Sequence, residues 1–200
     1  MKSPSMTAEL RQHPYRALFP LGWLMAWWGV LPWILFWLDP SFYYPRETHA
    51  LILVQGVLTP FAVGFMFTML PRRLDSAPPD AWQLLLSLVF PPLLVVLVWQ
   101  QHLGLSHAVF AAQSLMLFLF SASRIFGAAG KRTGPAAFMW VPIAFVFGCV
   151  GAALLSIAQF SPTLLPSAVI QFAWLALTQG LFVSLVLGIG TMFVPLTSHK

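Results

Sequence analysis

Five histidines are the residues of this 200-residue chain best suited to chemistry. Neutral imidazole is the commonest protein metal ligand, and haem iron takes it as an axial ligand. Three of them, His49, His102 and His107, fall at or near the ends of long apolar runs. If those runs are membrane helices threaded in alternation, the three ends share the outer face. His13 and His199 then fall at the inner face, about 30 Å away across the hydrocarbon core, and join no common site with the others. Three histidines from three helix ends are a candidate ligand set for a haem or a copper ion. The competing reading of each is an interfacial histidine that is wet and hydrogen-bonded.

Softer candidates follow. Met66 and Met69 are three residues apart, on one helix face. A thioether suits Cu(I) or haem iron, although flexible core filling is the more ordinary role. Cys149 is the only cysteine, which excludes an internal disulfide and a Cys-rich metal site. Nine tryptophans are present, and five of them, Trp23, Trp27, Trp28, Trp33 and Trp37, lie in the first apolar run. Trp33, Trp37 and Trp99 suit an outer interfacial belt, and Trp82 and Trp140 an inner one. Trp23, Trp27 and Trp28 lie deeper. They could wall a flat cofactor such as a porphyrin, and Trp27 is placed in the cofactor-binding set with the three histidines. Gln55, Gln113, Gln159 and Gln179 either bond between helices or line a site. No catalytic residue is assigned.

The elements that must position these residues are set by composition. Hydrophobic residues make up 59% of the chain and charged residues 8%. Soluble domains carry about 25% charged residues, so the solvent for this surface is lipid. About 20 apolar residues cross a bilayer core, which leaves room for six helices with short turns. The spans predicted are 17–38, 50–70, 81–100, 104–123, 136–160 and 167–191. The first is too long for a signal-peptide core and is read as a retained helix. Runs this long, without period-two alternation, exclude a barrel. Pro32, Pro60, Pro91, Pro92 and Pro142 lie within spans, where each removes a helix hydrogen bond. Gly56, Gly64, Gly148 and Ala152 provide small surfaces for close helix approach.

Charge gives the orientation. With the N-terminus inside, nine of the ten basic residues fall on the inner side and only Arg46 on the outer. This positive-inside bias predicts an all-α, six-span bundle with both termini cytoplasmic. The domains predicted are an N-terminal segment, 1–16, one transmembrane domain, 17–196, and a cytoplasmic tail, 197–200. The acids Glu9, Asp39, Glu47, Asp75 and Asp80 all lie in loops. Ion-coupled transporters usually hold ionisable groups at mid-depth, so that class is disfavoured. The net charge of +5 is accounted for by these flanking residues, and nucleic acid is not an expected partner.

Three stretches together resemble the NnrS family of bacterial inner-membrane haem- and copper-containing proteins associated with nitric oxide metabolism and tolerance. One is His13-Pro14-Tyr15-Arg16 through Gly22, similar to the family's entry into its first helix. A second is His49-Ala50, then Gly56, then Gly64-Phe65-Met66-Phe67-Thr68-Met69-Leu70-Pro71. The third is Gly188-Ile189-Gly190 with Pro195. In the second stretch Leu51 and Ile52 stand where the family has a second histidine and a glutamate, so only His49 carries over there. The resemblance covers one half of a family member at best, which implies a fragment or a short divergent branch. It implies haem, with copper as a further metal, nitric oxide or a related small molecule as partner beside the lipid, and a place in the bacterial inner membrane. Haem is expected at the outer layer, with His49 on one side and His107 or His102 on the other. A cofactor-free scaffold or assembly subunit, and a passive carrier of a small neutral solute, are the rival readings. An absorbance spectrum separates them from the first.

Overall fold

A short helix, α1 (Met6–Gln12), precedes six long ones in the computed structural model, which describes residues 6–41, 43–127 and 135–190. The six are α2 (Tyr15–Leu38), α3 (Arg46–Leu74), α4 (Ala81–Trp99), α5 (Leu103–Ile125), α6 (Ala136–Phe160) and α7 (Ser167–Gly190). All six are long and apolar enough to cross a membrane, and their limits fall close to the spans predicted from hydropathy. No strand occurs among the described residues. Lys2, Lys131, Arg132, His199 and Lys200, together with Met192, Pro195 and the 197–200 tail, lie outside them.

The helices differ in how much they bury. The apolar window of α3 is 61% buried and that of α2 only 22% buried, so α3 is central and α2 peripheral. Glycines let neighbours close on α3. A Cβ at Gly22 would lie 2.7 Å from the Phe61 ring, and one at Gly56 would lie 2.9 Å from Val95 on α4. At Gly151 the approach is backbone to backbone. A Cβ there would meet the Ala173 carbonyl and the Leu177 amide of α7, each at 2.8 Å, so only glycine permits this α6–α7 crossing.

Two of these helices contain a π-helical stretch. In α3 it spans Ile52–Leu58 and in α7 Ala176–Gly180. The first lies just before Pro60, whose ring would press on the carbonyl four residues earlier in a regular helix. The wider π turn relieves that contact. No proline accounts for the second.

The turns are closed by local chemistry. Asp80 and Gln83 form a reciprocal capping box at the start of α4. Asp75 takes a left-handed conformation (φ 49°) to end α3. At one end of the bundle, basic residues lash the loops. Arg11 pairs with Asp80 at 3.6 Å and its Nε donates to the Pro79 carbonyl at 2.8 Å. Arg124 lies 3.6 Å over the Phe120 ring and donates to the Ala77 carbonyl. His13 lies at this basic end and meets Arg72. At the other end, between α2 and α3, the Ser41 amide and hydroxyl both donate to Asp39, at 2.9 and 2.7 Å, which holds that carboxyl below its ordinary range.

Candidate functional site

His49 lies in the first turns of α3, at the end opposite the basic loops. Its Nδ1 donates to the Gly29 carbonyl of α2 at 2.8 Å. A carbonyl only accepts, so a neutral His49 carries its proton on Nδ1 and keeps the lone pair on Nε2. That is the tautomer of a metal-ligating imidazole whose second nitrogen is held by the protein. The ring is half-buried and stands edge-on to Trp33, with centroids 5.9 Å apart. Trp33, one turn beyond Gly29, was legible in sequence only as an interfacial tryptophan.

His107 is placed differently. It is fully buried on α5, and its Nδ1 faces the Gln55 side-chain nitrogen at 3.1 Å. The Gln55 oxygen accepts from the Ser106 hydroxyl at 2.8 Å. This chain of bonds fixes the amide's direction. Gln55 donates to His107 Nδ1, and a neutral His107 therefore carries its proton on Nε2. That nitrogen has no hydrogen-bond partner. The ring is edge-to-face with Trp174 of α7 at 6.0 Å. In this tautomer His107 offers a buried donor and no lone pair to a metal.

The predicted set therefore does not converge. His49 and Gln55 belong to one helix, six residues and about 9 Å of rise apart, so His107 sits that much deeper than His49. Their partners lie on different helices, α2 for His49 and α3 for His107. His102 is exposed at the residue before α5. Trp27 is 71% exposed on the outside of α2, away from the bundle interior. Among the described residues, no three His, Cys, Asp or Glu side chains are grouped to hold a metal. The buried polar cluster Gln55–Ser106–His107 includes a serine with no distinguishing signal in sequence. Gln113, seven residues beyond Ser106 on α5, is also fully buried, and neither of its amide atoms has a partner.

A family model described as NnrS protein matches residues 9–200. The chain belongs to the NnrS family. No curated protein and no solved structure matches it. This NnrS-family chain is a multi-pass helical membrane protein. Haem, which membership implies, can be tested against its residues. His49 could offer one ligand nitrogen to such a group, because its bond to Gly29 leaves Nε2 available. His107 does not fit in its present tautomer. A cleft of about 430 Å³ between α2 and α4 is walled by Met25, Trp28 and Trp99 and by no histidine.

Proposed function

We propose that this NnrS-family chain is an inner-membrane protein of nitric oxide metabolism that holds a haem, with copper as the alternative metal, on His49. The N- and C-termini are cytoplasmic in this reading, which places His49 at the outer face. One observation carries the ligand assignment: the 2.8 Å bond from His49 Nδ1 to the Gly29 carbonyl, which orients the ring and leaves Nε2 unprotonated. His49 is also the histidine that the family motif retains. His102, exposed at the same end, is the second candidate ligand; His107 is assigned a hydrogen-bonding role through Gln55 and Ser106. Haem bound at His49 would supply an iron able to take up a diatomic ligand. Trp33 limits rotation of the imidazole, and Gly29, lacking a side chain, lets α3 approach close enough for its carbonyl to be reached. The test is the absorbance spectrum and metal content of the protein purified after growth with haem precursor and copper. A Soret band lost in His49→Ala and kept in His107→Ala supports the reading. A colourless, metal-free wild type refutes it.

A further inference from the structure

The two π-helical stretches wall the same small cavity. It is enclosed by α3, α5, α6 and α7, and the centre of a water-sized molecule has about 20 Å³ in which to move. Val54 and Leu58 of the first π stretch line it, and Thr178 of the second. Phe110 and Ser114 contribute from α5, one and two turns along from His107. Leu58 and Thr178 are likewise about one turn from Gln55 and Trp174. The cavity therefore lies directly inward of the His107 layer.

Its chemistry follows from its hydroxyls. Thr59 donates to the Val54 carbonyl at 3.0 Å, and Thr178 to the Trp174 carbonyl at 2.7 Å. Both are taken by backbone at the π turns. Ser114 is the remaining hydroxyl on the wall. A buried water needs two to four polar partners, and apolar cavities that cannot supply them stay dry and take up xenon or small apolar molecules. The volume excludes a macrocycle, since drug-sized sites run to about 300 Å³ or more.

The cavity also has a way in. A cleft of about 300 Å³ between α3 and α7, open to the side of the bundle, shares Leu58, Ala62, Phe182 and Leu185 with it. Leu58 and Phe182 are 38% and 48% exposed, on a surface that faces lipid. A π turn opens a helix and frequently marks a functional site. Two such turns on facing helices, one of them with no proline to explain it, form this one wall.

We propose that this cavity binds a small, uncharged, lipid-soluble molecule of diatomic-gas size, which enters sideways from the bilayer between α3 and α7. The inference rests on the cavity and not on haem binding. It is tested with xenon on the full chain in nanodiscs, without added haem, by xenon NMR. Wild type should show a saturable bound signal absent from empty nanodiscs. Ala62→Leu and Leu181→Phe, which fill the cavity, should abolish it, and Val150→Leu on the lipid-facing side of α6 should not. Leu181→Ala should strengthen it, and this variant decides the matter if both filling variants fail to fold. Val186→Trp, which lines the cleft but not the cavity, should slow exchange without removing the bound signal. No saturable signal in wild type, or a signal indifferent to every cavity variant, overturns the site. Unchanged exchange in Val186→Trp overturns the sideways entry.

Discussion

The side-chain nitrogen of Gln55 and Nδ1 of His107 lie 3.1 Å apart across the contact between α3 and α5, both fully buried. Replacing Gln55 with Leu strands the His107 and Ser106 groups together. Each stranded buried group costs about 1–3 kcal/mol in general, and interhelical bonds measured within membranes average nearer 0.6 kcal/mol. Gln55→Leu should therefore lower the thermal midpoint in detergent, and adding His107→Leu should recover part of the loss. Equal and additive losses in the two single variants would show that the pair is not coupled.

Gly151 is predicted to be intolerant of even one methyl. Its Cβ would stand 2.8 Å from two backbone atoms of α7, which have no rotamer to yield. Gly151→Ala should cost about 1–3 kcal/mol, the range for overpacked cores. Gly190→Ala, where a Cβ meets nothing within 4 Å, is the control. Comparable midpoints for the two variants would mean that α6 and α7 are not in close contact.

Asp39 supplies a pH signature. Its carboxyl is held below the ordinary 3.8 by the two bonds from Ser41. The bonds contribute above the unfolded pKa and are lost as pH falls through the lower folded one. An NMR titration of the Ser41 amide should show a midpoint below 3.8, rising in Ser41→Ala read at the Asp39 carboxyl. A midpoint at the ordinary carboxylate value contradicts those bonds.

Orientation is checked by reporter fusions. Those after Ser41, His102 and Pro162 should read periplasmic, and those after Asp75, Gly130 and Lys200 cytoplasmic. One inverted reading breaks the proposed alternation, because each loop fixes the side of the next.

The spans were legible because hydropathy accumulates over some twenty residues, so no single side chain can mislead it. The site was not legible in the same way. Placing His49, His102 and His107 in one layer treated each as a helix-end marker. Depth along α3 and α5 puts His107 beside Gln55 instead, and the direction each ring faces depends on its neighbours. Sequence gives only the depth of Trp27, whereas its exposure is set by the side of α2 that α3 leaves uncovered. Gln55 stands out in sequence as polar within a span, but Ser106 and Trp174 carry no signal of their own. The π turns are equally silent in sequence, apart from Pro60.

His49, oriented by Gly29, is proposed as the metal-binding histidine. The most direct measurement is the absorbance spectrum of wild type, His49→Ala and His107→Ala, purified in parallel at matched yield after growth with haem precursor and copper. A Soret band is expected in wild type and in His107→Ala, with a lost or shifted band in His49→Ala. A band that survives His49→Ala unchanged and disappears in His107→Ala would contradict it.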